Sequence, residues 1–319
     1  MDQPAPITEN ATHGQYFAHL SDLHLTTLAN LQFRELFNKR LLGYLSWRWR
    51  RRHEHRGEVV EALIRDLRNN PPQNILITGD LTHLGTVDEC REVLAWLQSL
   101  GKADQITVVP GNHDTYAPVE WPDSVGLWSE YMASDHQSTG GHSFPFLRRR
   151  GPVGLIGVNT ARPTAPFLAT GRLGTAQLLQ LERLLQEARQ EGLFRVVLMH
   201  HPPSRQSIGR RKALDDATAL GRVILRAGAE LVVHGHAHRP LRSTLPGPSG
   251  PIPVIGAPSA SALGGRPGTR AAYYRYRVTP ASSAWRLTVE VRSYDPEQAR
   301  FRYLEDYEIM ISGNGHGYR

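Results

Sequence analysis

Six short apolar runs rich in Val and Ile punctuate the chain: QYFAHL (15–20), QNILIT (73–78), QITVVP (105–110), GLIGVN (154–159), FRVVLM (194–199) and ELVVHG (230–235). Each is too short for a helix and is bounded by Gly, Pro, Asn or Asp, so each predicts a buried strand. The segments between them carry helical period. GEVVEALIRDLRN places Val59, Leu63, Ile64 and Leu67 on one face, TAQLLQLERLLQEARQEG opens on Thr175 as a candidate cap and closes near Gly192, and DDATALGRVILRAGA is a third helix. Alternation of this kind predicts α/β layering, with strands covered by helices. Past residue 250 the pattern becomes strand after strand, IPVIGAPSAS, AAYYRYRV, WRLTVEVRSY and RFRYLEDYEI, which predicts neighbouring antiparallel strands over about 250–312 and an edge open to pairing, while LPGPSGPIP reads as a loop.

At 319 residues the chain exceeds the usual single-domain size, yet layered α/β proteins reach it as one unit, so we expect one domain over 1–319 with an embedded excursion at about 28–56. The one cysteine, Cys90, shares a helical face with Val87, Leu94 and Leu97 and reads as a small buried apolar residue; no intrachain disulfide can form. The polar N-terminus MDQPAPITENATHGQ lacks the basic start and apolar core of a secretory signal, and no apolar run approaches the roughly 18 residues that span a bilayer. These features predict a cytoplasmic protein, with peripheral contact at the inner face of the membrane as the open variant. The net charge of +7 is concentrated in residues 31–58, which hold eight Lys/Arg against three Glu.

Candidate chemistry sits at the strand ends. Asp22 and His24 follow the first run two residues apart, as His236 and His238 follow the run at 230–235, so an extended chain would aim each pair to one side. TGD presents Asp80, PGNHD presents Asn112, His113 and Asp114, and LMHHPP presents His200 and His201. Open α/β sheets bind ligands beyond the carboxyl ends of their strands, so these distant positions can converge. An isolated D-x-H or H-x-H is more often solvated or hydrogen-bonded than metal-bound; the ordered set, each member after an apolar run, points to a metal pair. Imidazole nitrogen with carboxylate oxygen suits Mn, Fe or Zn, and the lack of a cysteine cluster argues against a structural zinc knuckle.

The motifs SDLH, TGD, PGNHD, MHHPP and HGHAH resemble those of the calcineurin-like metallophosphoesterase superfamily over residues 16 to about 260, most closely its bacterial class III cyclic nucleotide phosphodiesterases. The resemblance implies a four-layer α/β/β/α sandwich of two mixed sheets with a dinuclear metal site at strand ends. It makes Asp22, His24, Asp80 and His238 ligands of a first divalent ion and gives Asp80, Asn112, His200 and His236 to a second, with Mn favoured. His113 is then expected at the leaving-group or a phosphoryl oxygen, as acid or cation, with Asp114 orienting it. A shared carboxylate holds two cations about 3.5 to 4 Å apart, where they acidify a bridging water whose hydroxide attacks phosphorus. His201 and His234 remain alternatives to their neighbours, His83 lines the site, His19 reads as a core histidine, and His53, His55 and His316 read as surface residues.

The excursion FRELFNKRLLGYLSWRWRRRHEHR departs from the compact pattern of that family. Phe33, Phe37, Leu41 and Leu45 fall at four-residue steps, and Trp47 and Trp49 alternate with arginines. Three readings stay open: a helix packing its stripe on the parent domain, an interfacial anchor for membrane or lipid, and a nucleic-acid surface, which the lack of any recognised module argues against. The expected substrate is a cyclic nucleotide or related small phosphodiester. A short likeness of NKRLLGYL to calcineurin-like UDP-2,3-diacylglucosamine pyrophosphatases keeps a lipid-linked pyrophosphate as the rival, and a non-catalytic metal-binding scaffold is the alternative from another class.

Overall fold

The computed structural model describes residues 14–28, 31–135, 144–204, 208–264 and 268–312; the N-terminal segment 1–13 and His316 lie outside them. One six-stranded sheet has the order β12 (Arg300–Ser312), β11 (Ala284–Asp295), β10 (Ala272–Ala281), β1 (Gln15–Leu20), β2 (Asn74–Ile77), β3 (Ile106–Val108). The other runs β4 (Phe146–Arg150), β5 (Val153–Gly157), β6 (Phe194–Leu198), β7 (Leu231–His234), β9 (Gly250–Gly256), β8 (Leu241–Gly247). Both sheets are mixed: β1, β2 and β3 are parallel while β10 to β12 join antiparallel, and β5, β6, β7 and β9 are parallel between antiparallel edges.

The two-residue period of the strands builds the layers. On β6, Phe194, Val196 and Leu198 pack between the sheets with Phe17, Leu231 and Val233, whereas Val197 faces α5 (Thr175–Gln190) and α6 (Ala217–Ala227) through Leu181, Leu185 and Ile224. On the far side of the first sheet, α3 (Gly57–Asn69) and α4 (Val87–Leu100) bury Val59, Leu63, Cys90, Val93 and Leu97. The result is the four-layer α/β/β/α sandwich.

Several local expectations change. LPGPSGPIP is the tight end of the β8–β9 hairpin, with Gly247 opposite Gly250: Pro246 lies on the edge strand β8, Pro248 at the turn, and Pro251 and Pro253 on the part of β9 before its pairing with β7 begins at Val254. IPVIG therefore lies beside β7 in the second sheet, apart from β10 to β12. Edge strand β12 carries Arg302, Glu305, Asp306 and Glu308, a charged rim of the kind that discourages edge pairing. The N-cap of α5 is Gly174, with Thr175 its first helical residue, and Ile64 is only half-buried while Asp66 takes the inner position, bonded to Tyr273 and Arg292.

Residues 31–56 form broken helical turns, among them α1 (Arg40–Ser46), a wide π turn (Trp47–Arg51) and α2 (Arg52–Glu54). Their buried face differs from the predicted stripe. Arg40 is buried, donating to the Leu84 and Gly85 carbonyls at 3.0 and 2.7 Å, and Gly43 is buried, whereas Phe37 is 87% and Leu41 46% exposed; the side chain of Phe33 lies outside the described residues. Lys39 donates to Thr164 and to the Leu168 carbonyl. At its far end the insertion joins the chain after β9 through Leu263 N to Glu54 O and a bridge of His55 with Ala262. It is thus stitched across several loops by polar contacts.

Candidate metal centre

The parallel strands β1, β2 and β3 of one sheet and β6 and β7 of the other deliver their following loops to one edge of the sandwich. The loops after β1 and β2 run side by side, with Asp22 N to Gly79 O and His24 N to Asp80 O both at 3.0 Å. The expected extended claws are absent: Asp22, His24, Asp80, His236 and His238 all have φ between 43° and 68°. L-residues adopt this left-handed conformation at a cost, and its concentration here marks a site held by its surroundings. Two glycines permit the approach. A Cβ on Gly235 would stand 1.8 Å from Ser21 Oγ and 2.6 Å from Asp22 Oδ2, and one on Gly111 would stand 2.2 Å from Asp80 Oδ1.

Among the described residues, ligand atoms of Asp22, His24, Asp80 and His238 lie within 4.8 Å of one another, and so do those of Asp80, His200 and His236. Asp80 belongs to both groups. Its Oδ2 is 3.4 Å from His200 Nε2 and 4.0 Å from His24 Nε2, and Asn112 Oδ1 is 3.1 Å from His200 Nε2. The predicted ligand residues are therefore assembled.

Donor chemistry fits a pair of divalent cations. His24 Nε2 and Asp22 Oδ1 are buried without a hydrogen bond, although His238 Nε2 stands 3.1 Å from that oxygen. Carbonyl oxygens orient the rings: His24 Nδ1 donates to Thr82 O at 2.8 Å, His200 Nδ1 to Thr78 O at 2.6 Å and His236 Nε2 to Lys212 O at 3.0 Å, which leaves lone pairs on His24 Nε2 and His236 Nδ1 and turns His200 Nε2 toward Asp80. Burial, then neighbouring imidazoles, holds His24 and His236 well below the usual histidine range, in the neutral form that ligates. Burial opposes charge on Asp22, but His238 and His200 outweigh it and hold that carboxyl well below its usual range. For His200 burial is outweighed by the Asp80 carboxylate, which raises its pKa to about 9.

His113 and Asp114 do not form the expected pair. The Asp114 carboxylate accepts from the backbone N–H groups of Asp80, Leu81, Thr82 and Gly111 at 2.8–2.9 Å and from the Thr82 hydroxyl at 3.0 Å, so it shapes the Asp80 turn and does not orient His113. His113 Nδ1 donates to His83 O at 2.6 Å, and Arg51 Nη1 lies 2.9 Å from Nε2. Nη1 also lies 3.0 Å from Nδ1, so the guanidinium sits over the ring nitrogens, and burial together with Arg51 holds His113 well below the usual range. In this arrangement burial and the Arg51 guanidinium disfavour the imidazolium form of His113.

The other histidines separate clearly. His19 is a core residue bonded to Thr78 Oγ1 at 2.8 Å, His201 turns to Thr160 Oγ1 at 2.8 Å and Ala169 O at 3.2 Å, and His234 packs against Gly256. His83 stacks on His24 with ring centroids 5.1 Å apart. His53 is exposed, but His55 is buried beside His24, at 4.4 Å between centroids, which corrects its reading as a surface residue. The missed contributors are Arg51 and His55, whose insertion has no motif to flag them, and Glu89, which binds the amides of His83, Leu84 and Thr86. Glu89 was legible in principle, since T-V-D-E is a capping box.

Two clefts flank these residues. One of about 360 Å³ is lined by Arg51, His55, Asn112, His113, Lys212 and Arg239 among others; the second, about 430 Å³, has Trp47, Ile64 and Trp96 opposite His24, His55 and His83. Among the described residues no helix is long and apolar enough to cross a membrane.

Residues 16–240 match the calcineurin-like phosphoesterase family, and the chain belongs to it. A probable cyclic nucleotide phosphodiesterase of Vesicomyosocius okutanii subsp. Calyptogena okutanii (strain HA) is 23% identical over 168 residues, 52% of this chain; the match spans only 62% of that relative's length. A dimetal phosphatase from Danio rerio shares the fold, with a TM-score of 0.63 at 14% identity over 93% of this chain and 99% of its own.

Proposed function

We propose that the protein hydrolyses phosphodiester or pyrophosphate bonds in a small nucleotide-like substrate, using two divalent cations, with Mn favoured over Fe and Zn. The observation that carries this reading is the single carboxylate of Asp80 shared by two ligand groups. When bound, the cations would supply Lewis acidity toward water and phosphoryl oxygens. The chain itself contributes imidazoles oriented by backbone carbonyls together with buried carboxylates, and Arg51, Lys212 and Arg239 line the cleft where a phosphate would lie. His113 holds the Arg51 guanidinium at the rim, so the positive charge that favours a departing oxyanion comes from the arginine.

A cyclic nucleotide is the leading substrate, supported by the name of the curated relative and by a second cleft whose Trp47 and Trp96 suit a flat base. One observation favours a lipid-linked nucleotide pyrophosphate as the second reading. Phe37, Leu41, Leu42 and Trp49 of the insertion are exposed, as are Phe167 and Leu168 of the loop that Lys39 grips. Such apolar side chains among arginines suit peripheral contact with an anionic lipid surface. Mn-loaded protein offered 3′,5′-cyclic AMP together with UDP-2,3-diacylglucosamine in detergent, followed by phosphorus NMR, separates the two. Consumption of the cyclic nucleotide alone supports the first reading, and release of UMP with a lipid phosphate supports the second. No turnover of either, nor of bis-p-nitrophenyl phosphate, by protein carrying both metals would overturn the catalytic reading in favour of a metal-binding scaffold.

A further inference from the structure

The four-residue group assigned to the first cation leaves one neighbouring histidine unexplained. Ring nitrogens of His24, His55 and His238 lie within 4.8 Å of one another. His55 is buried at the end of the insertion, its ring 4.4 Å from that of His24 and 5.7 Å from that of His238. The three imidazoles gain nothing from one another by such proximity: His24 and His55 lose hydration, and the acid that His238 meets, Asp22, belongs to the four-residue group.

A hydrogen-bond relay fixes which nitrogen His55 presents. Ser259 Oγ donates to the Asp22 carbonyl at 2.7 Å, so its lone pairs face Ser261, whose hydroxyl lies 3.3 Å away and whose N–H also donates to it. We assign the Ser261 hydroxyl proton to Ser259, so that the hydroxyl accepts from His55 Nδ1 at 2.8 Å. Nδ1 is therefore the protonated nitrogen and Nε2 carries the lone pair. The relay begins on the backbone of Asp22, a residue of the same ligand group, so the seat of His55 and the seat of the first cation are built on one another. The main chain adds rigidity through Arg56 N to Ser261 O at 3.3 Å and the His55–Ala262 bridge.

We infer that His55 is an additional ligand of the first divalent cation, supplied by the insertion through Nε2 from the side of His24 and His238. This rests on the reading that Asp22, His24, Asp80 and His238 hold that ion. It gives the insertion a role that neither its apolar residues nor its arginines supply: closing the coordination of one ion and not the other, and coupling the docking of residues 31–56 to metal loading.

The test uses full-length wild type, His55→Ala, His55→Gln and His55→Asp, stripped and reloaded with Mn. Stoichiometry is read by elemental analysis and the two affinities by chelator competition; the visible spectrum of Co(II)-loaded protein reports coordination number. The expected result is two ions in wild type, one site weakened at least tenfold in the Ala and Gln variants with the other unchanged, and recovery in the Asp variant, whose carboxylate can ligate. Melting temperatures of the metal-free proteins separate a folding defect from a ligand defect, and Gln, which keeps a side-chain amide for Ser261, covers the case in which Ala does not fold. Wild-type affinities and an unchanged Co(II) spectrum in the Gln variant would overturn the inference. A wild type that binds fewer than two ions would instead overturn the metal-pair reading beneath it.

Discussion

Arg51 Nη1 lies 2.9 Å from His113 Nε2, so a residue of the insertion completes the side of the cleft that the PGNHD motif opens. The contact gives the guanidinium a fixed place beside the candidate ligand residues. Removing the cation should then cost turnover without costing metal. Arg51→Ala is expected to lower kcat/KM on an unactivated diester by about 10²- to 10³-fold, the usual loss for one fixed donor to developing charge, with metal content unchanged. His113→Ala should lose most turnover on poor leaving groups and keep both metals. Because the two act as a unit, the double variant should lose little more than Arg51→Ala alone; additive losses in steady-state kinetics would separate their roles.

Gly235 has no room for a methyl group. Gly235→Ala drives a Cβ into Ser21 Oγ and Asp22 Oδ2, displacing the Asp22 carboxylate proposed as a ligand or the loop that carries it. We expect loss of the first ion and a destabilisation of about 1–3 kcal/mol, typical of overpacking. Urea unfolding of the metal-free variant with elemental analysis of the reloaded protein measures both; two retained ions would contradict the packing argument.

Away from the site, Arg195 and Glu230 form a fully buried ion pair. Arg195 Nε and Nη2 donate to the two carboxylate oxygens at 2.9 and 2.8 Å, and Nη1 donates to Ala227 O at 2.8 Å. Glu230→Ala strands the guanidinium and should destabilise the fold by about 3–5 kcal/mol, read as a lower denaturation midpoint. Metal stoichiometry below that midpoint should remain that of wild type.

The parallel strands and the candidate ligand residues were legible for one reason: Val- and Ile-rich buried runs end in short polar motifs. β4 was not legible because FLRRR reads as charged surface, whereas Arg148 is buried with its guanidinium satisfied by the carbonyls of Ala103, Ile106, Glu130 and Ala133. The left-handed turns at Asp22, His24, Asp80, His236 and His238 were equally hidden, since they are imposed by loops meeting from two sheets. Arg51 and His55 escaped because a basic segment gives no sign of which side chain turns inward. Its predicted stripe misled for the same reason: the insertion docks through Arg40 and backbone groups that periodicity does not register.

The measurement that bears most directly on the metal centre is the ion content of Asp80→Ala beside His236→Ala after reloading with Mn. A carboxylate shared by both ions predicts that Asp80→Ala loses the two together while His236→Ala loses one. Retention of one full equivalent by Asp80→Ala would contradict a shared carboxylate and the dinuclear centre built on it.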